Sequence, residues 1–322
     1  MLGGGSSVLT DVDEYEAALP GRVGLLPTTP GAFRARLSWV ELPHMCLLSA
    51  HEAAPRIARI SLPADRLAVL FPAHPNATLT CDGISARPGD VIVHSPGERF
   101  HQCTPASCKW GAICLSPESL SEYGRILVEQ DIRPPPVGQV LHVKPSDRKR
   151  LLRLHAEAAR IARSDPASLR HPEVTRALDQ DLIFALVTCI ANSRPRVGPA
   201  NYRKDAAILR ELDDALIAGA GRLLKVSDAS RVTGVSERTL RDRCSQILGI
   251  GAQRYIVLDR LRQARRAVLR ASPGQDAIAR IISRYGFAGP GEFAAAYRQA
   301  FGDVSWPTSL KNEFGLEPSL SA

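Results

Sequence analysis

One local pattern occurs twice in the C-terminal third of the chain, and it dictates how that region folds. In Gly234-Val235-Ser236-Glu237-Arg238-Thr239-Leu240-Arg241 a short apolar-periodic segment gives way, at a glycine, to a second segment studded with arginine. Roughly fifty residues later Gly286-Phe287 makes the same kind of corner and leads to Phe293, Tyr297 and Phe301. Between the two, from about Ala252 to Leu269, Tyr255, Leu258, Leu261, Ala264 and Val268 recur every three to four residues, which predicts one rigid helix. Two helical corners joined by a rod make an all-α unit.

Each corner has the parts of a helix-turn-helix. In the first, Ser227 is expected to cap a bracing helix that carries Ala229 and Val232. Gly234 supplies the positive φ of the turn, and Ser236 caps the next helix. Leu240, Cys244 and Ile247 then face inward, while Arg238, Arg241, Asp242 and Ser245 face outward. Arginine pairs with guanine O6 and N7, and aspartate accepts from cytosine N4, so this face is equipped to read base edges. One such helix alone would be an ordinary charged surface. Two on a fixed spacer suit successive major grooves, which repeat about every 34 Å. The spacer helix is expected to turn Arg254, Arg260, Arg262, Arg265, Arg266 and Arg270 outward, and the second unit to run from Asp276 to Phe301.

Charge agrees with this reading. Residues 201–311 hold 19 Lys and Arg against 11 Asp and Glu, whereas the rest of the chain holds 22 of each. The whole excess of +8 therefore sits on the C-terminal third, where neutralising phosphates would release counterions. The seven cysteines are odd in number and form no CxxC pair, which fits a reducing compartment better than a disulfide framework. The first twenty residues lack a basic start followed by an apolar block, so no secretory signal is expected. The longest strongly apolar run, Leu182 to Ala191, is too short to span a bilayer. The expected location is cytoplasmic, with no membrane partner.

Residues 1–30, rich in Gly, Ser and Pro, read as a loose surface segment. From about Phe33 to Leu115 short apolar runs such as Leu67–Phe71 and Asp90–His94 are broken by the turn signals Pro88-Gly89-Asp90 and Pro96-Gly97-Glu98. This predicts a small antiparallel barrel or double-sheet fold. Over residues 146–192 the period changes. Ser146 and Asp147 are expected to cap a helix carrying Leu151, Leu154, Ala158 and Ile161, and a second helix carries Leu178, Leu182, Ala185, Leu186 and Cys189. These helices either pack on the barrel or pair with a second subunit. Ser193 to Ala200 reads as an interdomain linker, and a further helix runs from about Asp205 to Ala218.

Residues from about 204 to 311 resemble the DNA-binding domain of the AraC/XylS family of bacterial transcription regulators. The resemblance is carried by Gly234–Leu240, Arg254-Tyr255, Leu261–Arg266, Tyr285-Gly286-Phe287, Phe293–Arg298 and Phe301-Gly302. It implies seven helices, with those after Gly234 and Gly286 entering the major groove. It places Arg238 and Asp242 at first-unit base contacts, and Gly289, Pro290, Gly291 and Ala295 on the matching face of the second unit. With Ser236, Glu237, Thr239, Arg241 and Ser245 around the first reading face, and Arg284 and Arg298 expected on phosphate, these residues make up the candidate DNA site. Four departures stand out. Asp242 is where many relatives carry Arg. Cys244 replaces a larger apolar residue, Ile282 replaces a small one, and Ser305-Trp306-Pro307 alters the usual ending.

The β-rich region resembles the cupin-like sensor domains of the same family through its architecture and Gly89-Asp90, Pro96-Gly97 and His101. The expected organisation is α+β. A cupin-like sensor and dimerisation domain with trailing helices spans 1–195, an all-α domain of two helix-turn-helix units joined by a helix spans 200–311, and a tail spans 312–322. Trp39, Phe71, His94, Phe100 and Trp110 are candidate lining residues for a small-molecule effector inside the barrel. No His-x-His pair exists, and His94, His101, Cys103 and Cys108 match no strong ligand spacing, so neither metal nor cofactor is expected. The leading expectation is a dimeric activator, not an enzyme, that binds double-stranded DNA and meets RNA polymerase. The alternatives are a metal-dependent cupin-type enzyme with a DNA-binding appendage, and a scaffold that binds DNA without regulating it.

Overall fold

The computed structural model describes residues 3–87, 89–196, 202–219, 224–271 and 275–301, the side chains of 275–277 excepted. The chain forms two compact units. One comprises Met1–Leu25 with Arg34–Tyr202, the other Leu26–Phe33 with Arg203–Ala322. The first is antiparallel and β-rich and the second is helical, which is the expected α+β organisation.

The first unit begins with β1 (Gly3–Leu9), α1 (Val12–Ala18), β2 (Arg22–Pro27), β3 (Ala35–Glu41), β4 (Met45–Glu52) and β5 (Arg56–Ser61). It continues with β6 (Leu67–Pro72), β7 (Leu79–Cys81), β8 (Ile84–Ala86), β9 (Asp90–His94), β10 (Arg99–Thr104) and β11 (Cys108–Leu115). Then come α2 (Pro117–Val128), β12 (Gln139–His142), α3 (Pro145–Ser164), α4 (Pro172–Ala191) and β13 (Arg194–Pro195). Eight strands form one sheet in the order β1-β3-β4-β11-β6-β9-β12-β13. Five form the other, β2-β5-β10-β7-β8.

Strand alternation sends successive side chains to opposite faces of the larger sheet. Leu47 pairs with Ile113, and both join Val69, Phe71, Leu151, Leu182 and Leu186 in the core under α2, α3 and α4. One step along, Leu48 pairs with Ala112, and both line a cavity inside the double sheet. The two trailing helices therefore pack on the barrel of their own chain. Buried His155 of α3 sits with its ring 4.9 Å from Phe71, edge on, and its Nε2 is 2.8 Å from the Leu48 carbonyl oxygen. Burial holds the His155 imidazole down at about 4, the Leu48 hydrogen bond opposing that shift and the charge of Arg163 adding to it.

Three sequence expectations are corrected here. The described part of residues 1–30 is not a loose segment: β1 pairs along β3, and Asp11 caps α1 by accepting from the Asp13 and Glu14 amides. The glycines serve close approach, since a Cβ on Gly5 would lie 2.7 Å from Cζ2 of Trp39. Tyr15 of α1 is fully buried and donates to Glu52 at 2.8 Å. Ser146 and Asp147 do not cap α3, which starts at Pro145 with Lys144 at the cap. Proline has no amide hydrogen to satisfy at that position, and Asp147 instead accepts from Asn192 at 3.0 Å. Nor is the start of the expected linker free. Arg194-Pro195 pairs with β12, and Arg196 is ion-paired with Asp90 and donates to the Ser85 carbonyl. Residues 197–200 lie outside the described residues.

The second unit comprises α5 (Tyr202–Ala218), α6 (Val226–Val232), α7 (Glu237–Leu248), α8 (Ala252–Arg270), α9 (Gln275–Arg284) and α10 (Pro290–Phe301). Tyr255 of α8 donates to Asp213 of α5 at 2.6 Å, a buried bond that ties the first helix to the rod. Residues Leu26–Phe33 fold with this unit, where Gly31 donates to the Phe301 carbonyl at 3.1 Å. Of the seven helices implied by the resemblance, six lie among the described residues. Gly302, Ser305-Trp306-Pro307 and the tail fall outside them. No helix among the described residues is long and apolar enough to cross a membrane.

Candidate nucleic-acid interface

The first corner is built by backbone geometry. Gly234 has φ +64°, and a Cβ there would meet nothing within 4 Å, so it is the left-handed backbone and not space that calls for glycine. Thr233 ends α6 by donating to the Ala229 carbonyl at 2.8 Å, and Ser230 donates to the Val235 carbonyl at 2.5 Å across the turn. Ser236 then caps α7, its Oγ accepting from the Thr239 amide at 3.1 Å. Ser227 does not cap α6. The helix starts two residues earlier than that reading, and Asp228 accepts from the Lys225 amide at 3.2 Å instead.

Leu240, Cys244, Ile247 and Leu248 form the buried face of α7. Arg238, Arg241, Asp242 and Ser245 are exposed along the other side, with Ser236 exposed at the cap and Glu237 and Thr239 half-buried beside it. Arg241 is tied to Glu237 one turn back at 2.5 Å, and Thr239 to Ser236 at 2.9 Å. Arg238 and Asp242 make no ion pair among the described residues. Their polar ends project from a helix whose opposite face is fixed in the core.

At the second corner Gly286 has φ +78°, and Phe287 turns inward to meet Phe293 edge on at 5.2 Å. Phe293, Tyr297 and Phe301 form the buried side of α10, Tyr297 and Phe301 lying 4.6 Å apart. Arg284, Gly291, Ala295 and Arg298 are exposed, and Gly289 and Pro290 are half-buried. Ile282 is fully buried. Both α7 and α10 pack on α8, whose 19 residues span about 28 Å at the usual rise.

The arginines of α8 depart from the expectation that they all face outward. Arg265 is buried, Arg262 is tied to the fully buried Asp259 at 3.2 Å, and the Arg260 guanidinium covers the Phe287 ring. Arg254 donates to the Thr28 carbonyl at 2.7 Å. Arg266 is half-buried and Arg270 exposed. A rod packed on several sides leaves little surface open, and arginine stems pack as well as apolar chains do. Burial lowers the Arg260 guanidinium below its usual value, against the attraction of Glu292.

The candidate lining residues of the first unit separate. Phe100 and Trp110 line the cavity inside the double sheet, together with Leu25, Leu48, Leu70 and Gln102. Phe71 points to the other face, toward α3. Trp39 lies over Gly5 across the β1–β3 pairing. His94 stacks flat behind Phe100 with ring centroids 3.5 Å apart, its Nδ1 3.3 Å from Glu98. Burial pushes the Glu98 carboxyl up, but the adjacent His94 ring and hydrogen bonds from the Ser95 and Gly138 amides outweigh it and hold the group below its usual value.

A buried network that sequence reasoning missed floors this cavity. Arg56 donates to both oxygens of Glu52 at 3.0 Å and to the Gln102 carbonyl and side-chain oxygens at 2.8 and 2.6 Å. Its only trace in the sequence is an opposite-charge pair four residues apart. His101 lies with Asp82, and Cys108 with the Thr78 carbonyl, so His94, His101, Cys103 and Cys108 each have different surroundings. Burial pushes the Cys103 thiol up to about 12 and the Cys108 thiol up to about 11, leaving them protonated at neutral pH. Among the described residues no group of three or more His, Cys, Asp or Glu is arranged to hold a metal ion.

Residues 229–304 match the family model of the helix-turn-helix domain. The C-terminal domain is an AraC-type helix-turn-helix domain. The probable thc operon regulatory protein of Rhodococcus erythropolis is 37% identical to this chain over 143 residues. That alignment spans 43% of this chain and 42% of the relative, so about two fifths of the relative's length is matched. The AraC-like transcriptional activator CuxR aligns with 82% of this chain and 96% of its own, at 15% identity and a TM-score of 0.43. ToxT from Vibrio cholerae aligns with 91% of this chain and 98% of its own, at 10% identity and a TM-score of 0.28. The AraC-type domain thus has both corners, the rod and the two exposed helix faces within one unit.

Proposed function

We propose that this chain is a transcription regulator that binds double-stranded DNA in a sequence-preferring way, and that it works as an effector-responsive activator. The observation that carries the reading is the exposed face of α7. Arg238, Asp242 and Ser245 stand outward on a helix whose other side is locked in the core, and α7 shares the rod α8 with α10. In this reading Arg238 pairs with a guanine and Asp242 accepts from a cytosine. Arg284 and Arg298 meet phosphate, and the first unit supplies most of the direct readout because Gly289, Gly291 and Ala295 offer no side-chain hydrogen bonds.

Regulation is supported by the relative named as an operon regulatory protein. The effector role is supported by the cavity that Phe100 and Trp110 line. Homodimer formation, contact with RNA polymerase and a cytoplasmic location follow from the AraC/XylS resemblance.

A mobility-shift titration of the full chain on fragments from its own upstream region, against scrambled DNA of equal length, tests the reading. Preference for one fragment, with affinity falling as salt rises, is the expected result. Equal affinity for all fragments would overturn it.

A further inference from the structure

A row of basic side chains crosses the α3 side of the larger sheet. Arg36 of β3 stands opposite His51 of β4, and His51 stands opposite Lys109 of β11. Basic side chains set together across strands repel one another when charged. Burial, then the Lys109 and Arg36 charges, hold the His51 imidazole below its usual value against the pull of Glu52. Glu52 itself points to the other face of the sheet, where Arg56 and Tyr15 hold it. Among the described residues Arg36, Lys109 and Arg163 of α3 make no ion pair, whereas Arg160, on the same helix as Arg163, is paired with Glu157.

The row borders a cavity of about 260 Å³ between that sheet and α3. From α3 come Leu152, Ala156, Ala159 and Arg163, which the helical period puts on one face. Two residues further along the strands, Ser38 stands opposite Ser49 and Ser49 opposite Gly111, so small residues leave the space open. Arg36, His51, Lys109 and Arg163 are all exposed, and their polar ends are within reach of a guest. Among the described residues no Asp or Glu lines the cavity. A cleft with one sign of charge between low-dielectric walls concentrates ions of the other sign. Strand alternation puts this cavity on the opposite side of the larger sheet from the one that Phe100 and Trp110 line.

We propose that this cavity binds a small organic dicarboxylate, whose two anionic ends are shared among Arg36, Lys109 and Arg163. Three cations without carboxylate partners call for more than one anionic group. Arg36 and Lys109 are rooted two strands apart, roughly 10 Å, and a pair of separated carboxylates suits that spread better than one compact anion. Arginine forks match carboxylates through two parallel hydrogen bonds. The space lies below that of drug-sized sites and fits a metabolite. The site stands apart from the DNA-binding reading and from the cavity inside the double sheet.

Calorimetric titration of the full-length protein with glutarate, butyrate, pentanediol and inorganic phosphate tests the ligand class. Glutarate is expected to bind about tenfold tighter than butyrate or phosphate, and pentanediol not to bind. Glutarate affinity should fall as salt rises. Lys109→Gln and Arg163→Gln should each weaken glutarate about tenfold. Thermal melts without ligand keep binding apart from folding. Lys109→Gln removes a repelling neighbour, so its midpoint should match or exceed the parent's. No glutarate binding, butyrate or phosphate bound as tightly as glutarate, affinity unmoved by salt, or affinity unmoved by both substitutions would each overturn the proposal. Mobility shifts on the same preparations separate this site from DNA binding. Loss of DNA affinity in Lys109→Gln, with no glutarate binding by the parent, would make the row a phosphate-contacting surface instead.

Discussion

The guanidinium carbon of Arg260 lies 4.6 Å from the centroid of the Phe287 ring. Arg260 belongs to the rod α8 and Phe287 to the corner that introduces α10, so this contact helps tie that corner to the rod. The Arg260 side chain is half-buried, and a cation held over a ring with reduced hydration is worth about 1 kcal/mol or more. Arg260→Ala is therefore expected to destabilise the helical unit by about 1–2 kcal/mol through lost packing and lost cation–π attraction. Urea unfolding followed by circular dichroism checks this. A variant as stable as the parent would show the contact to be idle.

Arg238 and Arg298 should fail differently. Arg238→Ala is expected to cost about 1–3 kcal/mol on the preferred fragment and to relax discrimination at one base pair. Arg298→Ala should weaken every fragment to a similar degree and reduce the salt slope by about one counterion. Mobility shifts at three salt concentrations on preferred and single-base-changed DNA separate the two patterns. The opposite assignment of effects would exchange their roles.

The first corner should be sensitive in its backbone. Ser236→Ala removes the cap of α7 and is expected to cost about 1 kcal/mol. Gly234→Ala forces an L side chain into the left-handed region and should cost about 1–2 kcal/mol although nothing lies near the added Cβ. Thermal melts of both variants measure this, and DNA affinity should fall with them as α7 loses its fixed start.

Stability of the β-rich unit should fall in acid because of His155. Its imidazole has an ordinary value of 6.5, which burial lowers to about 4 in the folded chain. The unfolded chain therefore binds the extra proton first as pH drops. The associated stability is complete above about pH 6.5 and is lost progressively toward pH 4, amounting to about 3 kcal/mol over that window. Urea midpoints at pH 7, 5.5 and 4.5 report the loss. His155→Gln should flatten this part of the profile, and an unchanged acid limb would place the titrating group elsewhere.

The helical unit was largely legible because its information is local. Gly234 and Gly286 fix the corners through their own φ, Ser236 caps through an atom three residues away, and the apolar spacing of α7, α8 and α10 needs no knowledge of the partner surface. The cavity was only partly legible. Leu67–Pro72 is buried along its whole length, so no polar alternation marks which face Phe71 takes. Register with β11 sends it toward α3, while Phe100 and Trp110 face the lumen. Nothing in the order of residues announces that Glu52, Arg56 and Gln102 meet, because β10 reaches β5 only when the second sheet forms.

The amino-acid sequence by itself determined that the C-terminal third is a pair of glycine-cornered helical units on a basic rod, since backbone preference and helical period act over a few residues. Tertiary structure alone decided which arginines of that rod are swallowed by packing, that the glycine-rich start is a strand pressed against Trp39, and that Glu52, Arg56 and Gln102 meet in one buried network. Each of these depends on what lies opposite a side chain, and that is set by contacts between residues far apart in the chain.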